Sequence, residues 1–217
     1  VGLLNRLAPR RPDAELSVPP SRVGADDPVF ATKALRKFLT SLTSRESPVL
    51  LDLGPVVGSN VSFFGEQLGC KIFVEDIFAD LDRHVREGKL EALPEFFKKR
   101  FPQADATFDG ILCWDVIDYL DRASANQLAA QMTRVLRPEG ALLGFFASGP
   151  VRETRYTKYI IVDEVNLKHR WYAAARGRNT SLLNRDIIRM FSELRVSDSF
   201  LLQNNLREIL FRKPAAS

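Results

Sequence analysis

Three residues in the stretch VLLDLGPVVGSN, positions 49–60, have the types and spacing for ligand chemistry: Asp52, Gly54 and Gly58. A glycine after a buried apolar run lets the backbone turn sharply and lets a ligand approach the main chain. The helix that follows such a turn presents free N–H groups at its start. A second acidic point, Glu75-Asp76, ends the run CKIFVED. A carboxylate there can accept both hydroxyls of a ribose, and since adjacent strand residues point to opposite sides, one of the pair faces the ligand. A third acid, Asp115, follows FDGILCW. Together these residues describe a nucleotide-like ligand lying across strand tips. Each also has an ordinary explanation. Glycine turns follow buried strands in many α/β proteins, acids at strand ends are often just solvated, and Asp115 is placed to cap VIDYL.

The elements that must position these residues alternate along the chain. PVLLDLG, CKIFVED, FDGILCWDV and EGALLGFFA are apolar enough to be strands covered on both faces. GSNVSFFGEQLG, most of residues 78–101, and NQLAAQMTRVL, stopped by Pro138, separate them as helices. Upstream, Asp26-Asp27-Pro28 supplies a helix start, and Phe30, Ala34, Leu35, Phe38, Leu39 and Leu42 follow at helical spacing. Downstream, RYTKYIIVDEV has β-propensity, LNRDIIRMFSEL is an amphipathic helix, and RVSDSFLL and LREILFRK read as an antiparallel pair. This order predicts an α/β fold: a Rossmann-like open sheet, mostly parallel with an antiparallel C-terminal strand, and helices on both faces. In such a sheet ligands sit beyond the carboxyl ends of the strands. Residues 1–27, with four prolines, are expected to form an arm or a disordered lead-in, and residues 28–217 a single domain. Residues 151–180 stand out as an insertion, either a lid or substrate surface or an extra β-hairpin with exposed charges.

The bulk properties narrow the function classes. The 217 residues suffice for one domain with a full core. No apolar stretch approaches the ~20 residues of a membrane helix, and the N-terminus lacks the apolar core of a secretory signal. Cys70 and Cys113 lie in or beside apolar runs and match no metal spacing, which fits buried thiols and a cytoplasmic protein. His84 and His169 are far apart, so no metal site is expected. Lys and Arg number 18 against 20 acids up to residue 150, and 13 against 7 thereafter. That basic C-terminal third suits an anionic partner or a solvated face, with nucleic acid the less favoured option. The oligomeric state is left open.

Four of these segments, in their order, resemble the class I S-adenosylmethionine-dependent methyltransferases over roughly residues 26–213. LDLGPVVG is similar to the family's first motif at Asp52, Gly54 and Gly58, and GCKIFVEDI to its second. FDGILCWDVIDYL and TRVLRPEGALLGFF resemble the segments around its fourth and fifth strands. The resemblance implies S-adenosylmethionine as cofactor and a small-molecule methyl acceptor. It implies that Gly54 and Gly58 line the methionine and ribose portions, that Asp52 lies near the amino group, and that Glu75 or Asp76 holds the ribose. Trp114 and Asp115 would border the methionine end, with Asp115 the first candidate base and Tyr119 the second. Val56 stands where the family has its middle glycine, so a β-branched side chain is expected to crowd the ligand. No third strand is found between Asp76 and Phe108. Two readings stand beside an active methyltransferase: a non-catalytic module that keeps the fold for binding or assembly, and a nicotinamide-dependent reductase. The last lacks the glycines its fingerprint needs at Val56 and Ser59.

Overall fold

A computed structural model describes residues 27–149, 154–178 and 182–216. Its apolar runs lie side by side as β2 (Val49–Asp52), β3 (Lys71–Val74), β4 (Phe108–Trp114) and β5 (Leu136–Ala147), all parallel. β9 (Leu206–Arg212) pairs antiparallel with β5, and β8 (Arg195–Leu201) pairs antiparallel with β9. The six strands follow the order β3-β2-β4-β5-β9-β8.

Strand alternation divides the core into two layers. Leu51, Ile111, Leu142 and Ile209 face α3 (Ile77–Arg86), α4 (Leu93–Arg100), α5 (Arg122–Val135) and α6 (Asn184–Met190). Leu50, Leu112, Leu143 and Leu210 face α1 (Leu35–Thr43) and α2 (Gly58–Ser62), which a π-helical turn continues to Gln67. Each fully buried leucine contributes about 1.5–3 kcal/mol. Gly110 permits the close seating of α1, because a Cβ there would meet Leu42 Cδ2 at 2.7 Å. Between β3 and β4 the described residues hold helices and no strand, so β3 is the sheet edge.

Two expectations are corrected. The helix expected from Asp27-Pro28 begins only at Leu35; Val29–Ala31 is instead a short strand, β1, paired with β7 (Asn166–Ala173). Phe30 gains a partner there, its ring 4.5 Å from that of His169. The approach to α1 is held by the buried carboxylate of Glu208 on β9, which accepts from the N–H groups of Lys33 and Ala34 at 2.8 and 2.9 Å. A contact across some 174 residues thus overrides the local capping signal. The strand expected from Glu139 begins already at Leu136: α5 ends at Val135, ahead of Pro138 as expected, and Pro138 lies inside β5, where the pairing with β4 shifts register and a missing N–H is tolerated.

Residues 155–173 form a hairpin of β6 (Arg155–Asp163) and β7, and with β1 a second, antiparallel sheet in the order β1-β7-β6. The hairpin is tied to the rim of the large sheet by buried bonds. Asn60 of α2 donates to the Tyr159 carbonyl and accepts from Ile161 N–H, at 2.8 and 2.9 Å. Tyr156 donates to Asp82 of α3 at 2.6 Å. Of the arm expected over residues 1–27, all but Asp27 lies outside the described residues.

Candidate functional site

β2 ends at the buried Asp52, and the chain turns at once. Asp52 Oδ1 accepts from Gly54 N–H at 2.9 Å and from the indole Nε1 of Trp114 at 2.6 Å. Burial raises its carboxyl to about 6, against the lowering by these two hydrogen bonds and with a further push from Asp76. Glu75 follows β3 directly, its N–H donating to the Asp52 carbonyl at 2.8 Å, so the ends of β2 and β3 are stitched together. The Glu75 carboxylate accepts from Arg100 at 2.6 Å. Asp76 caps α3, accepting from Ala79 N–H at 3.0 Å, and burial raises its carboxyl. Asp52, Gly54, Glu75 and Asp76 are therefore adjacent, and both Glu75 and Asp76 already have partners.

The two glycines differ in what stands over them. A Cβ on Gly58 would meet nothing within 4 Å, while one on Gly54 would meet Trp114 Cδ1 at 2.8 Å and Nε1 at 2.9 Å. A register shift at the end of β4 and a φ of 49° at Trp114 set its backbone in the left-handed region. The indole stacks on Tyr159 of the hairpin with ring centroids 5.0 Å apart and planes within 7°. Val56, expected to crowd this place, is 64% exposed. It faces a separate groove of about 360 Å³ between residues 56–59 and Lys158, Ile160, Lys168 and Arg170. The obstruction above the glycine turn is the indole.

Beyond β4 lies a buried polar cluster. Arg178 donates to Asp115 through Nη2 and to the Tyr119 hydroxyl through Nε at 3.0 Å, and its Nη1 is 3.7 Å from Asp118. The Tyr119 hydroxyl in turn donates to the Arg155 carbonyl at 2.7 Å. Burial raises both acids, Asp118 to about 7, against the pull of the guanidinium. Burial, followed by the charge of Asp115, raises the Tyr119 hydroxyl as well. Asp115 Oδ1, Asp118 Oδ1 and the Tyr159 hydroxyl are buried without a hydrogen-bond partner among the described residues.

A cavity of about 550 Å³ opens between the two sheets on the far side of Tyr159. Tyr119, Arg155, Tyr159, His169, Trp171 and Arg178 are among its walls; Asp115 is not. Burial and the Arg178 charge push His169 down to about 4, so its imidazole is neutral at pH 7. Two groups of residues thus emerge. Asp52, Gly54, Glu75, Asp76 and Trp114 lie together, with Gly58 at the far end of the same turn. Asp115 and Tyr119 belong to the second cluster. The sequence reading missed Arg178, Tyr159 and His169. Alternation in RYTKYIIVD was the available signal for Tyr159, whereas Arg178 lies in ARGRN, where no periodicity marks it. Among the described residues no group of three or more His, Cys, Asp or Glu is placed to hold a metal ion, and no helix is long and apolar enough to cross a membrane.

Residues 51–144, from β2 into β5, match a family described as a methyltransferase domain. A comparison with curated protein sequences finds no match. Among solved structures, the chain is similar to a Burkholderia thailandensis 1,6-didemethyltoxoflavin-N1-methyltransferase with bound 1,6-didemethyltoxoflavin and S-adenosylhomocysteine. That likeness has 16% identity, 83% of this chain and 78% of the other covered, and a TM-score of 0.49. A Pyrococcus horikoshii protein shares 19% identity over 84% and 92% of the two chains, with a TM-score of 0.49. A SAM-dependent methyltransferase from Aquifex aeolicus shares 14% over 82% and 88%, at 0.47.

Proposed function

We propose that the protein transfers a methyl group from S-adenosylmethionine to a small-molecule acceptor, a reading supported by the match of residues 51–144 to a methyltransferase domain. One juxtaposition carries this reading: a glycine turn with its acids on one side of the Trp114–Tyr159 pair, and a cavity of about 550 Å³ on the other. When bound, S-adenosylmethionine supplies a methyl group already activated by its sulfonium, so alignment and a dry pocket matter more than an acid–base set.

The chain's own residues take the following parts. Gly54 and Gly58 bring main chain close to the cofactor, and the Asp52 carboxylate faces its amino group. Glu75 and Asp76 each keep an oxygen beyond the bond to Arg100 or Ala79 N–H, and one of them accepts the ribose hydroxyls. Trp114 borders the methionine portion once its indole has moved off Gly54. Asp115, sealed behind Arg178, orients that guanidinium rather than taking a proton from the acceptor. Tyr119, on the cavity wall with its hydroxyl fixed at both ends, positions the acceptor. The hairpin roofs the rim and excludes water. The two buried thiols, Cys70 and Cys113, suit the cytoplasm.

Isothermal titration with S-adenosylhomocysteine tests the reading, with saturable binding that Asp52→Ala weakens as the expected result. A full titration with no heat and no thermal shift would refute it. A second reading, a non-catalytic module of the same fold, is favoured by the indole over Gly54, and that silence would support it.

A further inference from the structure

The groove of about 360 Å³ beside Val56 lies between the loop at residues 56–59 and the face of the hairpin turned away from Tyr159. Small-ligand sites occupy roughly 300–1,000 Å³. The hairpin wall presents Lys158, Ile160, Lys168 and Arg170. Its register puts Lys158 opposite Arg170 and Lys168 opposite Ile160, so the three cations share one face. Like charges opposite each other on a strand pair destabilise it. Among the described residues no carboxylate lines the groove. Asp27 offsets one of the three charges, accepting from Arg170 Nε at 2.7 Å. Asp76 of α3 acts on Lys158 without forming an ion pair, and the Lys158 ammonium lies over Tyr172, 5.2 Å from the ring centre. The two acids at the hairpin tip are engaged elsewhere, Glu164 with Arg36 and Asp163 with Val165 N–H and the Asn166 amide. Lys168 has no carboxylate partner among the described residues. With Asp27 set against Arg170 and Asp76 against Lys158, the charge of Lys168 is still left over. A concave surface of one sign focuses such a field.

We propose that this groove binds a small phosphomonoester, its phosphate between Lys158 and Lys168 and its carbon body against Val57 and Ile160. The guanidinium fork that would favour a planar carboxylate is engaged at Nε by Asp27. The two ammonium groups are point charges, which suit the three oxygens of a phosphate. On the facing wall the Ser59 hydroxyl makes no hydrogen bond among the described residues and is a further donor. Gly58 lies beside it, and a Cβ there would meet nothing within 4 Å, so the main chain is open to a ligand. The groove shares Gly58 with the glycine turn, but its binding of a phosphate does not rest on the methyltransferase reading.

A matched ligand series separates charge from shape: phenyl phosphate, phenyl sulfate and phenol, titrated calorimetrically into the full chain at pH 7.5 and low salt. Phenyl phosphate is expected to bind about threefold tighter than the sulfate and at least about tenfold tighter than phenol. Lys168→Gln and Lys158→Gln are each expected to cost phenyl phosphate about fivefold and to leave phenol within about twofold. Lys99→Gln, an exposed site on α4, removes the same net charge and should leave all three ligands within about twofold. Because Lys168 has no partner to lose, Lys168→Gln should keep the urea midpoint of the parent or raise it slightly. Silence toward phenyl phosphate, phenol binding as tightly, or an equal loss in Lys99→Gln and Lys168→Gln would each overturn the proposal. So would a single-stranded oligonucleotide that binds through Lys168 where phenyl phosphate does not. S-Adenosylhomocysteine titrated in parallel keeps the two readings apart. Its binding without phenyl phosphate binding rejects the groove alone; phenyl phosphate binding in its absence supports the groove and rejects the transferase.

Discussion

At the tips of β2 and β3 the rim is made of acids on a glycine turn, all from residues 52–76. At the tips of β4 and β5 it is made of rings and arginines, most of them brought by the hairpin and the segment after it, residues 155–178. The first half is tied by backbone and short side-chain bonds, such as Glu75 N–H to the Asp52 carbonyl. The second is tied by contacts between distant elements, such as Arg178 to Asp115, 63 residues apart. Local geometry therefore fixes the first half of the rim, and the second half exists only when the hairpin is docked. Trp114 belongs to both, with its indole N–H on Asp52 and its face on Tyr159.

The largest effect is expected from Arg178→Met, which removes one of the second half's two arginines and leaves Asp115 buried and without that partner. Breaking a buried pair from one side costs about 3–5 kcal/mol, measurable as a shift of the urea midpoint at pH 7.5. Adding Asp115→Asn in the same chain should restore part of that loss. Because burial raises Asp115 and Asp118, the latter to about 7, both carboxyls take up protons more readily than exposed acids as pH falls, and the penalty shrinks in that direction. A loss below about 1 kcal/mol, the range of exposed pairs, would show that the cluster is not sealed from water.

Trp114→Ala comes next and sets the two halves against each other. Removing a buried indole costs about 3–5 kcal/mol. Yet the space above Gly54 is freed, so S-adenosylhomocysteine should bind more tightly to the variant, by severalfold in calorimetry. If affinity falls along with stability, the contacts the indole makes with the bound ligand outweigh the cost of moving it off Gly54.

A smaller effect sharpens the first half. With Asp52 raised to about 6 in the folded chain, the fold holds its proton more firmly than the unfolded chain does. Stability therefore declines as pH rises from about 4 to 6, by up to about 3 kcal/mol, and Asp52→Asn lacks that decline. Asp76, raised by burial too, contributes with the same sign, so the difference between parent and variant isolates Asp52. An amino group facing Asp52 prefers the ionised carboxylate, so the affinity for S-adenosylhomocysteine should rise between pH 5 and 7, by up to about tenfold. A flat profile in that window would place the amino group elsewhere.

The same contrast explains what was legible in the sequence. Asp52, Gly54, Glu75 and the strands that carry them follow from short apolar runs ended by polar residues, and the absence of a strand between Asp76 and Phe108 also follows from its helical pattern. The parallel sheet with its antiparallel ending was readable for the same reason. What escaped depends on partners far along the chain. Phe30 was read as helical because its strand partner lies near residue 167. Arg178 carries no local signal, since its meaning comes from two acids buried 60 residues earlier. Trp114 was legible as a rim residue, but its orientation depends on a bulge and on Tyr159, neither of which a period reveals.

The smallest expected effect concerns Val56. Sequence comparison makes it the misfit of the first motif, and on that view Val56→Gly should tighten cofactor binding. The side chain is 64% exposed and lies on the groove side of the loop, away from the indole over Gly54. Its isopropyl group therefore removes little room from the first half. Glycine there should leave the dissociation constant for S-adenosylhomocysteine within about twofold, under 0.5 kcal/mol. It should also cost about 0.4–1 kcal/mol of stability, because the unfolded chain gains freedom. Calorimetry and a urea melt on one preparation read both quantities. A tenfold gain in affinity would mean that the loop, rather than the Trp114–Tyr159 pair, limits access, and the division between the two halves of the rim would have to be redrawn at Gly58.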